Sequence, residues 1–242
     1  MPFTAAHPAL VLPLTYLPPR WYSLTGLVVG SMTPDFEYFG RVQLIQQHGH
    51  TLWGLLYFDV PLGLLLAYLY HGVARNALID NLPPFLQSRL APFKALNWHA
   101  FFKSRVWVVL ASLLVGASSH LFWDAFTHEW GFFVERIPLL QTTITLGDWT
   151  LPTAKVLQHG STAVGILLVG WGILRLPKTD LTPTERWRDY WWVVAGSLAL
   201  VVGIRIIGGL TFSNFGNVVV AVISGGLWGL LLGALATRVR AK

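Results

Sequence analysis

Residues Val106–Phe126 read VWVVLASLLVGASSHLFWDAF, a run without Lys or Arg whose single carboxylate, Asp124, lies near its end. A bilayer's hydrocarbon core is ~30 Å thick and takes about 20 mostly apolar residues as a helix, so this stretch reads as a membrane span. Four more runs meet the same test: Leu52–His71, Leu157–Leu176, Tyr190–Gly209 and Asn217–Ala236. Pro61 inside the first removes one backbone bond and predicts a kink. Glycines in the last two (Gly203, Gly208, Gly209, Gly225, Gly226, Gly229, Gly233) suit close helix packing in lipid. Ala9–Tyr16 and Leu24–Met32 are apolar but too short to span, and Pro13, Pro18 and Pro19 interrupt the region. They read as interfacial or re-entrant helices packed on the bundle. The expected fold is all-α: a polytopic membrane helical bundle of about five transmembrane helices with short N-terminal helices.

The composition agrees. Of 242 residues, 54% are hydrophobic and 12% charged, against about 25% charged in a soluble domain. So few charges cannot cover a water-facing surface, and membrane lipid is the expected partner. No polar linker divides the chain, so residues 1–242 read as one membrane domain. The net charge of +6 does not point to nucleic acid, because the basic residues sit in short loops rather than along one face. With no cysteine, disulfides, thiolate catalysis and Cys-based metal sites are excluded. The N-terminus lacks the basic and apolar regions of a removable signal peptide.

Lys and Arg set the expected orientation. Arg75, Arg89, Lys94, Lys103 and Arg105 lie between the first and second spans, Lys178, Arg186 and Arg188 between the third and fourth, and Arg238, Arg240 and Lys242 in the tail. These alternate consistently as cytoplasmic segments. Thr127–Val156 carries Glu129, Glu135 and Asp148 against Arg136 and Lys155, and belongs outside with residues 1–51. The C-terminus is then cytoplasmic.

Ionisable residues at membrane depth are costly and mark function. In a helix, positions i and i+4 share a face, so His120, Asp124 and His128 line one stripe. Imidazole and carboxylate together suit zinc, iron or manganese. An isolated His-x-x-x-Asp is more often a helix-packing hydrogen bond than a ligand pair. Here, however, His7, Asp35 (after Pro34), His48, His50 and His159 also fall at the expected outer ends of the helices. Six of eight histidines would thus share one face. His71 and His99 fall on the other side as ordinary interfacial residues. Asp59 either orients a ligand histidine or makes a buried polar contact. Glu37 is a weaker ligand candidate, and Arg205 either snorkels or clamps a phosphate.

The opening Met1-Pro2-Phe3-Thr4-Ala5-Ala6-His7-Pro8 and Gly30-Ser31-Met32-Thr33-Pro34-Asp35-Phe36-Glu37-Tyr38 resemble a bacterial membrane family of unknown function whose members begin MPFTxxHP. The ordered set His7, Pro34-Asp35, His48-Gly49-His50-Thr51 and His120-x-x-x-Asp124 resembles the inner-membrane metal-dependent hydrolase family. More distantly it is similar to the zinc-dependent phospholipase C and single-strand nuclease superfamily. The likeness covers about residues 1–140; the spans within 157–242 are additional. It implies that Asp35, His50, His120 and Asp124 hold one metal, that Asp124 bridges to a second held partly by His7, and that His128 corresponds to a further ligand. Phe36-Glu37 stands where the hydrolases carry a second Asp. His159 lacks an acid four residues on, and there is no counterpart of the superfamily's N-terminal Trp ligand. One or two zinc ions, rather than three, is therefore the expected cofactor.

The expected function is a membrane-embedded hydrolase of phosphate esters in the bacterial inner membrane, working at the non-cytoplasmic face. Asp35 would orient or deprotonate the attacking water. A lipid phosphate is the natural substrate there, with Trp53, Trp123 and Trp130 at headgroup depth. The competing readings are a non-catalytic metal-binding membrane protein, a transporter or a scaffold.

Overall fold

The computed structural model describes residues 3–180 and 187–239. Arg186, Arg240 and Lys242 of the charge argument, and Met1 and Pro2 of the opening motif, lie outside the described residues. Among the described residues, five helices are long and apolar enough to cross a membrane: α4 (Leu55–Asp80), α7 (Val106–Thr127), α8 (Thr153–Leu174), α9 (Trp187–Ile207) and α10 (Phe215–Val239). The shorter ones are α1 (Pro8–Val11), α2 (Leu24–Met32), α3 (Phe36–Arg41), α5 (Pro84–Leu90) and α6 (Trp98–Ser104). The chain is a polytopic α-helical membrane protein.

Contacts divide it into two units, the first holding residues 3–35, 48–64 and 105–172 and the second most of the remainder. The chain passes between them five times, twice inside the continuous helices α4 and α8.

In the first unit α2 lies along α7, and small residues set the distance. A Cβ on Gly26 would come within 2.8 Å of Ser112 Cβ, and one on Gly30 or Gly116 would run into the facing backbone. The Ser23 side chain caps α2 by accepting from Gly26 N, and Ser23 N donates to Ser112 Oγ at 2.8 Å. Nine residues at about 1.5 Å each cannot cross a bilayer, and α2 instead spends its buried face (Gly26, Leu27, Gly30, Ser31) on α7. The N-terminal segment runs beside α8: Phe3 N donates to Thr162 Oγ1, a Cβ on Gly165 would meet Ala6 Cβ at 2.8 Å, and Leu12 lies against Gly172.

Two features were not expected. Helix α4 continues past His71 to Asp80, because Arg75 is buried by donating to the carbonyls of Lys94 and Leu96 and so need not end the helix. Its wide turn Leu55–Asp59 precedes Pro61, the loosening by which a helix relieves a proline's clash with the preceding carbonyl. The segment after α7 also carries an antiparallel hairpin, β1 (Thr143–Leu146) with β2 (Trp149–Pro152). Gly147, at φ +61°, opens its two-residue turn.

In the second unit α9 and α10 pack through a glycine stripe. Cβ atoms on Gly225 and Gly229 would fall 2.7 Å from the Cα of Leu198 and Val194, and one on Gly233 would meet the Tyr190 ring at 2.9 Å.

Candidate metal centre

The close approach of α2 to α7 places the site. The Ser31 carbonyl, near the end of α2, meets His120 of α7, whose Nδ1 lies 2.8 Å away. A carbonyl can only accept, so Nδ1–H is the donor and Nε2 is the nitrogen left to face the cluster. The chain then makes a tight turn, Thr33–Asp35, which brings Asp35 back over that nitrogen. His120 and Asp124 sit one turn apart on the buried stripe of α7. His50 arrives in a turn where Thr51 Oγ1 donates to His48 O and accepts from Gly54 N. Gly49 lets this turn lie on Pro34, since a Cβ there would stand 2.7 Å from the Pro34 carbonyl oxygen and 3.3 Å from Asp59 Oδ1.

Four atoms result. His50 Nε2 is 3.4 Å from Asp35 Oδ1 and 3.6 Å from Asp124 Oδ2. His120 Nε2 is 3.4 and 3.5 Å from the same two oxygens. N–H···O bonds run about 2.7–3.2 Å, so these separations are too long for them. Four ligands set tetrahedrally at about 2.0–2.2 Å from one ion stand about 3.3–3.6 Å apart. Four of the six edges among the two imidazole nitrogens and two carboxylate oxygens have this length.

The surroundings ask for positive charge. Asp35 and His120 are 0% exposed, and Asp35 Oδ1, His120 Nε2 and both Asp124 oxygens lack a hydrogen-bond partner. Two buried carboxylates are costly unless positive charge compensates them, and His50 Nε2 and His120 Nε2 both face the pair. A divalent cation answers each of these at once. Thr4 Oγ1 donates to Asp35 Oδ2 at 2.5 Å and leaves Oδ1 facing the imidazoles. Burial alone would raise the Asp35 carboxyl, but His120 and His50 outweigh it and hold it well below the usual carboxylate range.

His7 extends the cluster. It joins the turn Thr4–Ala6 to α1, and its ring stacks on His120 with centroids 3.7 Å apart. Nε2 is 3.7 Å from Asp124 Oδ1, and neither ring nitrogen has a hydrogen-bond partner. Asp124 therefore turns Oδ2 to the four-atom set and Oδ1 to His7, the disposition of a bridging carboxylate. Burial, aided by the His120 ring, lowers the His7 imidazole to about 3, so it is neutral, the form that ligates. Ligand atoms of His7, Asp35 and His120, and of His50, His120 and Asp124, each lie within 4.8 Å of one another.

His128 is beside the cluster but off the helical stripe. α7 ends at Thr127, and His128 is extended, with φ −102° and ψ 142°. Its Nδ1 is 2.9 Å from the Asp124 carbonyl and 3.7 Å from Asp124 Oδ2. Burial lowers its imidazole, against the pull of Asp124.

Other candidates are elsewhere. His48 Nδ1 pairs with the Tyr57 hydroxyl at 2.9 Å, and His159 is exposed, one residue past the buried Gln158. Glu37 accepts from the Arg41 guanidinium at 2.9 Å and from Gln47 N. Asp59 is buried against Gly49. Arg205 belongs to the second unit, as do His71, stacked on Trp98, and His99, bonded to Tyr68. Trp123 donates to Ser161 Oγ, whereas Trp53 and Trp130 are exposed. The supporting roles of Thr4 and Ser31 escape sequence reasoning. The available signals were a hydroxyl three residues before His7 and the small-residue spacing Gly26-x-x-x-Gly30 facing Ser112-x-x-x-Gly116.

Fold and cluster together define a polytopic helical membrane protein with a buried histidine–carboxylate centre. The chain belongs to the family described as Domain of unknown function (DUF4184), whose model matches residues 1–235. No curated protein and no solved structure matches the chain. That membership brings no activity with it, and the likeness to metal-dependent hydrolases rests on motif order alone.

Proposed function

We propose that this protein is a membrane-embedded, metal-dependent hydrolase of phosphate esters, with Asp35, His50, His120 and Asp124 holding a divalent ion, zinc before iron or manganese. A second ion would share Asp124 with His7. The observation that carries the reading is the set of four 3.4–3.6 Å separations among buried atoms, three of them between elements far apart in sequence. A zinc-type ion supplies Lewis acidity toward a phosphoryl oxygen and a nucleophilic water at neutral pH. Asp35 holds rather than deprotonates, since Thr4 occupies Oδ2 and Oδ1 faces two imidazoles. The proton acceptor is His128, whose side chain is 34% exposed against 0% for His7 and His120 and 11% for His50. By the Lys/Arg distribution, the site faces the non-cytoplasmic side of the bacterial inner membrane and the C-terminus is cytoplasmic.

The test is elemental analysis of detergent-purified protein beside Asp124→Ala, with bis(p-nitrophenyl) phosphate turnover measured on both. Bound metal and turnover in the wild type, both lost in the variant, support the proposal. Wild-type protein without metal above background would sink it. One observation favours a second reading: the near-complete burial of Asp35, His7 and His120 also suits an ion that only ties helices together. Bound metal without turnover of any phosphate monoester or diester selects that reading.

A further inference from the structure

Beside the cluster, an apolar cavity of about 170 Å³ lies between the N-terminal segment and α8. Its wall on α8 runs from Ser161 to Leu168, about 10 Å of helix at 1.5 Å per residue. Leu10 and Trp123 close the other sides, and His7 stands among the lining residues. Val164 and Leu168, respectively 57% and 45% exposed, are eleven and fifteen residues into a membrane-spanning helix. The groove is thus at a depth where the surrounding medium is hydrocarbon. Two of its three polar members are already committed: Trp123 donates its indole N–H to Ser161 Oγ, and Ser161 donates to the Gln158 carbonyl; the third is His7. An apolar cavity of about 150 Å³ stays dry and accepts a hydrocarbon guest.

His7 joins this groove to the metal centre. Its ring lines the cavity, stacks on His120 at 3.7 Å and points Nε2 toward Asp124. One residue therefore borders both the apolar groove and the buried carboxylates. We infer that the groove is a subsite for one acyl chain of a phosphate-headed lipid whose headgroup is directed to the His/Asp cluster. This rests on the hydrolase reading for what becomes of the headgroup. The seating of the chain stands on the groove alone. Gly165 keeps the subsite narrow, because the absent side chain lets Ala6 pack directly on α8.

The experiment is photo-crosslinking of the full chain in zinc-supplemented nanodiscs, using phosphatidic acid with a diazirine midway along one acyl chain. Diacylglycerol carrying the same chain serves as the headless probe, and sites are mapped by mass spectrometry. Phosphatidic acid is expected to label Leu10, Val164 and Leu168 several-fold more than Ile166 and Leu167, lipid-exposed neighbours on α8. Diacylglycerol should lack that preference, and Leu168→Trp, which fills the groove from its lipid side, should remove it. Equal labelling of Leu167 and Leu168 in the wild type overturns the subsite, as does equal groove labelling by both probes, which would mean ordinary bilayer chains. The readout needs no turnover. Groove labelling in a protein that cleaves no phosphate ester, mono- or diester, keeps the subsite and removes the hydrolase, and uniform labelling in a protein that does cleave one has the opposite meaning.

Discussion

The nitrogen that His120 presents to Asp35 and Asp124 is chosen by its other nitrogen, tied to the Ser31 carbonyl; the oxygen that Asp35 presents is chosen in the same way by Thr4. Such outer contacts govern ligand orientation and are worth about 10–100-fold in metal affinity. Thr4→Val is therefore expected to weaken zinc binding by about that factor in a chelator competition, with Thr4→Ser close to wild type. A Thr4→Val protein that holds zinc as tightly as the wild type refutes the role. His7 gives a pH dependence. Its folded value of about 3, against an ordinary 6.5, means the unfolded chain binds the extra proton between those limits. The stability that His7 contributes to the metal-free protein then falls as pH drops through that window. Asp35, whose carboxyl is held low by His120 and His50 against the effect of burial, acts in the same direction below its ordinary 3.8. Between pH 7 and 5 the melting midpoint of chelator-treated wild type should change less favourably on acidification than that of His7→Phe, which keeps an aromatic ring but cannot titrate. An equal slope in both proteins would remove His7 as the cause.

At the scale of elements, glycine decides where Asp35 can stand. Gly30 has the Leu113 backbone where a Cβ would be, so even Gly30→Ala must push α2 off α7 and carry Ser31 and Asp35 away from His120. A cost of about 1–3 kcal/mol, the range of overpacking, is expected together with a fall in bound metal. Gly40→Ala, with nothing within 4 Å, should change neither; a Gly30→Ala protein that melts and binds metal like wild type would show that α2 is not the positioning element. The same physics sorts what the sequence makes legible. The long apolar runs announce α7 to within one residue and α9 and α10 to within three, and the glycine spacing of the last two spans is readable as helix contact. The pairing of Gly26 and Gly30 with Ser112 and Gly116 is not, since it depends on which helices meet. The hairpin hides for another reason: Thr143-Ile144-Thr145-Leu146-Gly147-Asp148-Trp149-Thr150-Leu151 alternates around a glycine turn, but a search for 20-residue apolar windows passes over two four-residue strands.

For the whole molecule, residues far apart in the chain supply the cluster through motifs whose order is readable, while their side-chain directions are not. His120 and Asp124 follow from helical spacing. His50 and His48 are two residues apart in a tight turn, and only the backbone bond from Thr51 N to His48 O, with Tyr57 holding His48, separates the one at the cluster from the one outside it. His159 is lost to a single helical step, because Gln158 takes the buried position. The membrane side of the cluster end of α7 rests on loop charges, and the absence of cysteine makes that directly testable. Glu129, just after α7, and Ala95, between α5 and α6, are both exposed. With Thr127–Val156 outside and the Arg89–Arg105 segment cytoplasmic, Glu129→Cys should react with a membrane-impermeant maleimide in intact spheroplasts. Ala95→Cys should react only after lysis. Neither residue touches the cluster, so metal content serves as the check that both variants fold. The reverse pattern would put the His128 end of α7 in the cytoplasm. The His/Asp centre would keep its geometry but lose its assignment to the non-cytoplasmic leaflet, and any lipid substrate would have to enter from the inner one.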